Sequence, residues 1–139
     1  MIERGDIASI HWQMRLGRAG GDPAPGDIVT DYDDIDQEIR TIILTPTGSV
    51  PTNPLKGCNA LRVIDQLSIH AAPLLCQTIW DAVATWVTRI EVGSVTAEAV
   101  EIHHWRVTIP WRVKGTVAQE MRTSTVDLSL ASYGGLYAQ

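Results

Sequence analysis

Apolar and polar residues change rhythm twice along this 139-residue chain. Near the start, Ile10, Trp12, Met14 and Leu16 alternate with His11, Gln13, Arg15 and Gly17, the period-2 pattern of a half-buried strand. From Asp34 to Leu44 the period becomes helical. Ile35, Ile39, Ile42 and Ile43 fall at i, i+4, i+7 and i+8 and form one stripe. A longer helix is expected from about Ala72 to Arg89, with Pro73 tolerated in its first turn. Leu75, Ile79, Val83, Trp86, Val87 and Ile90 make its apolar face, against Gln77, Asp81, Thr85 and Thr88.

Past Ile90 the period returns to two. Ile90-Glu91-Val92 opens a strand that Gly93-Ser94 bulges before Val95-Thr96-Ala97. The clearest strand is Trp105–Val113, where Trp105, Val107, Ile109, Trp111 and Val113 take every second position. Pro110 lacks the N–H of a ladder bond, so it indicates an edge strand or a bulge. After a turn near Lys114-Gly115, Val126, Leu128 and Leu130 alternate in a third strand. The expected fold class is α+β: an N-terminal arm, helices, then an antiparallel three-stranded meander packed on one long helix. The expected division is an arm and linker over 1–32, a domain over 33–131 and a loose tail over 132–139.

Local signals set the element ends. Asp33 or Asp34 is placed to cap the first helix, Asp36, Gln37 and Glu38 fill its first turn, and Asp36 and Arg40 pair on its outer face. Pro46 and Gly48 stop it. Asn59 is placed to cap a short helix over Ala60–Gln66. The run Gly17–Gly26, rich in Gly and Pro, reads as a linker. It leaves two arrangements open for the arm strand: packing on its own domain, or strand addition to a neighbour.

Composition narrows the function classes. Hydrophobic residues make up 45% and charged residues 19%, the balance of a globular chain. A net charge of −5 with scattered Lys and Arg argues against nucleic acid as a partner. No run approaches the ~18 apolar residues of a membrane span, so no membrane partner is expected. The first residues lack the pattern of a signal peptide, and the expectation is a chain folded in a cytoplasm. Cys58 and Cys76 lie in apolar surroundings and read as buried thiols. Five Trp stand beside no Phe, so most of the indoles are expected in the core.

A search for chemistry finds no catalytic set, and no enzyme activity, cofactor or metal is expected. Paired carboxylates for glycan cleavage would have to come from Glu91, Glu98 and Glu101, or from Asp31, Asp33, Asp34 and Asp36. The second group is accounted for by helix capping, and the first falls on strand positions facing water. His103-His104 reads as a turn or strand-entry pair, because adjacent strand residues face opposite sides. His11 and His70 are isolated, and zinc spacing is absent. Gly17-Arg18-Ala19-Gly20-Gly21 lacks the strand-to-helix context of a phosphate loop. Arg89, at the expected end of the long helix, suits the helix dipole and also offers a planar fork to a partner.

The order and spacing of several pieces resemble one family. Thr45-Pro46-Thr47-Gly48-Ser49 is followed nine residues after Gly48 by Gly57, with Pro54 ahead of it; then come Trp86, Arg89 and Ile90, and Ser94-Val95 beyond. This series, over residues 33–97, resembles the baseplate assembly protein W group of contractile phage tails, called lysozyme-like in older naming. Val87 and Thr88 replace the Glu and Pro of the family's Glu-Pro-Arg triplet, and Asn53 and Lys56 replace an arginine and an aromatic. The resemblance implies a structural baseplate wedge subunit that binds other wedge proteins and the tail sheath protein and nucleates sheath assembly by strand pairing. It implies a ring of copies in the tail baseplate of a virion, assembled in the host cytoplasm, or the equivalent part of a tailocin or secretion-type device. The residues it points to for partners are Trp86, Arg89 and Ile90 toward the wedge and Trp105, Val107, Ile109 and Trp111, or the strand after them, toward the sheath. Trp12 on the arm is a further docking candidate.

Overall fold

The computed structural model describes residues 11–16, 24–66, 70–115 and 120–129. Ile10, residues 17–23 of the expected linker, Leu130 and the 132–139 tail lie outside the described residues. The chain divides into two compact units, Met1–Glu38 and Ile39–Gln139. The fold is α+β, with three helices and antiparallel sheets.

In the first unit, β1 (Trp12–Met14) pairs antiparallel with β2 (Ile28–Thr30), with Gln13 opposite Val29. Of the two arrangements open to the arm strand, the observed pairing is internal, to a strand that the alternation did not announce. β2 runs without a linker into α1 (Asp31–Leu44), and Asp31 makes the junction at φ +55°. Asp is among the few residues that enter this left-handed region at modest cost. The helix therefore starts ahead of Asp33 and Asp34, and both lie within its first turn instead of capping it. Ile35 is buried at the start of the apolar stripe, and the stripe continues through buried Ile39, Ile42 and Ile43.

In the second unit, α2 (Ala60–Ile64) packs on α3 (Ala71–Trp86), which lies against β3 (Ile90–Val92) and β4 (Thr96–Glu101). Asn59 precedes α2 but makes no side-chain capping bond. Of the face foreseen for the long helix, Leu75, Ile79 and Val83 are buried in α3 and Val87 and Ile90 beyond its end, but Trp86 is only half-buried; Gln77, Asp81, Thr85 and Thr88 are exposed. Its end comes three residues early. Val87 leaves the helix after its N–H bonds the Val83 carbonyl, and two successive β-branched residues favour extended backbone there.

The sheet is built around β5 (His104–Val113), which pairs with β3, β4 and β6 (Arg122–Ser129). Val92 sits opposite Trp111 and Thr96 opposite Thr108, so three residues of one strand, Gly93–Val95, face two of the other. β3 and β4 are thus one edge interrupted by a bulge, and the meander has three positions, as the alternation foresaw. Pro110 lies opposite that interruption, and Gly93 donates its N–H to the Pro110 carbonyl at 2.7 Å. N–H and C=O of one strand residue point to the same side. The donor that Pro110 lacks is therefore directed at the bulge, and a proline is accommodated in a central strand rather than an edge strand.

The inward face of β5 and β6 carries Val107, Ile109 and Trp111 beside Ser124, Val126 and Leu128, all buried. Trp111 Nε1 donates to Ser124 Oγ at 2.8 Å, which satisfies the one polar group this indole brings inside. The expectation of a tryptophan-rich core fails otherwise. Trp12 and Trp80 are exposed and Trp86 and Trp105 are partly exposed, so aliphatic residues fill most of the interior.

Candidate functional site

The Thr45–Ser49 turn and Gly57 form a closed loop. Cys58 N–H bonds the Thr45 carbonyl at 2.8 Å, Gly48 N–H bonds the Pro54 carbonyl at 2.8 Å, and Ser49 Oγ bonds the Pro46 carbonyl at 2.6 Å. Gly57 lies across the turn at φ +130°, and a Cβ there would come 2.4 Å from the Thr45 carbonyl oxygen. Only glycine meets both conditions without displacing backbone. The spacing between Gly48 and Gly57 is the length of chain that leaves the turn and returns to cross it. The loop projects Leu55, which is exposed, while its own backbone bonds hold it in shape.

The helix end is less exposed than its sequence implied. Arg89 sits with Thr88 in a turn beyond α3, not in the last helical turn, and its carbonyl accepts the Lys114 N–H at 3.0 Å. Trp86 keeps part of its ring at the surface, but Ile90 is buried. Val107, Ile109 and Trp111 are also core residues, so neither they nor Ile90 present side chains to a partner. The backbone of β5 is engaged on both sides, by β3 and β4 on one and β6 on the other, so this strand cannot accept another. Among the described residues β6 pairs only with β5, which leaves the strand after Trp105–Val113 as the available edge. Arg40 reaches it from α1, donating to the Thr125 carbonyl at 3.4 Å.

Of the carboxylates weighed for glycan cleavage, Glu91 and Glu98 lie opposite arginines on the outward face of the sheet. Glu91 lies opposite Arg112 and bonds it. Glu98 lies opposite Arg106, whose Nε donates to Asp127 Oδ1 at 2.9 Å. The hydrogen bond from Arg106 holds the Asp127 carboxyl below the usual carboxylate range, and the same bond raises the guanidinium. Glu101 is on the wall of an open cleft of about 480 Å³ shared with Ile64, Ile102, His103 and Trp105. His103 occupies the β4–β5 turn at φ +58°, its Nδ1 3.1 Å from the Ile64 carbonyl, and His104 opens β5, as expected of the pair. Burial pushes the Cys58 thiol up to about 11, which suits a core thiol.

The first unit holds polar groups that the sequence did not single out. Gln37 donates its amide to the Met14 carbonyl at 2.8 Å and accepts the Leu16 N–H at 2.9 Å. Gln13 donates to the Asp34 carbonyl at 2.8 Å. The weak signal was the presence of two glutamines where an arm strand and a helix had only charge or alternation to explain them.

No protein-family model matches the chain, and no curated protein matches it. Solved structures do. A provisionally named tail lysozyme from Geobacter sulfurreducens has the same fold, with a TM-score of 0.61 and 23% identity over 85% of this chain and 96% of that one. A chain of the baseplate complex from the type VI secretion system also matches, with a TM-score of 0.51 and 16% identity over 67% of this chain and 89% of that one.

Proposed function

We propose that this chain is a structural, non-enzymatic subunit of the baseplate of a contractile tail or tail-like injection device. In this reading it is a wedge subunit that joins other baseplate proteins and pairs a strand of the tail sheath with the outer edge of β6. The supporting observation is the fold shared with a chain of the type VI baseplate complex, in a molecule whose motif loop is closed and whose β6, among the described residues, pairs with no strand but β5. Strand addition needs a row of main-chain groups, and alternate residues of the eight in β6 turn theirs away from β5, with the Thr125 carbonyl held by Arg40. Trp86, Arg89 and Trp105 remain candidates for partner contact because each keeps part of its side chain at the surface.

Co-expression with the neighbouring tail proteins tests this. The chain is expected in isolated baseplates, and Thr125→Pro is expected to stop sheath assembly while leaving the monomer folded. Baseplates that assemble sheath normally without the chain would overturn the reading.

The name of the Geobacter protein favours a second reading, a peptidoglycan-cleaving tail enzyme. Zymography of the purified protein separates the two. Clearing that is lost on Glu91→Ala, Glu98→Ala or Glu101→Ala would replace the scaffold reading with an enzymatic one.

A further inference from the structure

The hairpin of the first unit displays large apolar side chains that no described residue of that unit covers. Trp12 is 62% exposed, Met14 69%, Leu16 60% and Ile28 48%. They share one face. Trp12 and Met14 alternate along β1, Leu16 continues the line, and Ile28 lies directly opposite Met14. Val29 and Gln13 point the other way, where Val29 is buried and Gln13 bonds the Asp34 carbonyl. Together the four side chains form an apolar patch on the order of several hundred Å², the size at which a surface patch marks an interaction site.

The manner of binding is restricted by Gln37. Its amide takes the Met14 carbonyl and the Leu16 N–H as a neighbouring strand would, while Arg15 N–H is bonded to Asp27. These two groups of the β1 edge are taken, so a partner meets this face of the hairpin through its side chains.

Charge specifies the partner further. Met1–Glu38 contains nine acidic and three basic residues, net −6, whereas Ile39–Gln139 contains seven acidic and eight basic, net +1. The whole negative balance of the chain lies in the unit that carries the patch. Asp31 and Asp33 are exposed in the first turn of α1, directly after β2, and the one described arginine of the unit, Arg15, is 3.8 Å from Asp27.

We infer that the Trp12–Met14–Leu16–Ile28 face is a docking surface for an amphipathic helix of another protein whose apolar stripe is flanked by Lys and Arg. The helix lays its stripe on the hairpin and its cations beside Asp31 and Asp33. The proposal stands independently of the baseplate reading.

The test uses the full chain and a labelled model helix with leucine along one face and lysine on both flanks. Fluorescence anisotropy is expected to show saturable binding that weakens with salt and weakens about tenfold or more in the Trp12→Ser/Met14→Ser double variant. Asp31→Asn/Asp33→Asn, which keeps a residue tolerant of the left-handed region at 31, is expected to weaken it less and to flatten the salt dependence. A helix with glutamate in place of lysine is expected to bind at least about tenfold more weakly. Equal binding of the glutamate helix, no loss in the Trp12→Ser/Met14→Ser variant, or no binding at all overturns the proposal. So does a lower melting temperature in that variant, which would show the two side chains packed internally. Sedimentation of the free protein provides the last check: a dimer dissolved by the double substitution would make a second copy the occupant.

Discussion

β1 and β5 carry the same alternation and meet opposite fates. In β5, Val107, Ile109 and Trp111 are at most 2% exposed; in the arm, Trp12, Met14 and Leu16 are at least 60% exposed. Alternation makes a strand with one apolar face, and it does not state what covers that face. β5 has pairing strands on both sides and an inward face shared with β6, so its large residues become core. β1 has one short partner, and the side held by glutamine hydrogen bonds is its polar one. The same pattern thus makes the centre of a domain in one place and a surface in the other.

The largest test of this contrast is a pair of tryptophan truncations. Trp111→Ala is expected to cost about 3–5 kcal/mol, because it empties core volume and removes the bond to the Ser124 hydroxyl. Trp12→Ala is expected to stay within about 0.5 kcal/mol in chemical denaturation of the same protein. Comparable losses at the two positions would end the distinction. Next in size is Gly57→Ala, expected to cost about 1–3 kcal/mol through backbone strain at φ +130° and collision with the Thr45 carbonyl. Gly115→Ala, at φ +76° but in open space, is expected to cost less, and equal melting temperatures would mean that the close approach contributes nothing.

Gln37→Ala comes third. It removes both side-chain bonds to β1, and a loss of about 1 kcal/mol is expected, with faster amide exchange at Leu16 while Val107 stays protected. Exchange at Leu16 that does not change would show that the Gln37 bonds do not hold β1. The smallest effect concerns the outward face of the sheet. The Arg106 bond lowers the Asp127 carboxyl, so the folded protein holds this anion more readily than the unfolded chain does. Its contribution is complete above the ordinary carboxylate pKa and is lost as pH falls through the lower, folded value. Arg106→Ala is expected to return the Asp127 titration to the usual range in carboxyl NMR. Both groups are largely exposed, so global stability near neutral pH is expected to move little.

Some elements were plain from the residues. The isoleucine stripe of α1, the face of α3 and the three positions of the meander follow from periodicity alone, because each period admits one backbone geometry that gathers its apolar residues. Gly48 and Gly57 were visible as a spacing, and the structure supplies its reason in the chain crossing its own turn. The role of Pro110 was half legible. A proline in a strand demands either an edge or a bulge, and only the register of β3 and β4 against β5 shows which. Ile90, Val107, Ile109 and Trp111, to which the resemblance points for partner contacts, are core, because a motif or an alternation marks an apolar residue without saying whether it turns inward. β2 was not legible at all. Three residues are too few to show a period, and Ile28–Thr30 is a strand because β1 lies beside it.

For this protein the amino-acid order alone pointed to the fold class, the apolar stripes of its helices and the Gly48–Gly57 spacing, since each can be read as a period or an interval along the chain. Which edges stay open, which tryptophans face water and which strand pairs with the arm were decided only in three dimensions. Those outcomes depend on competition between distant segments for the same apolar face and the same backbone groups, and a one-dimensional pattern carries no record of which segment wins.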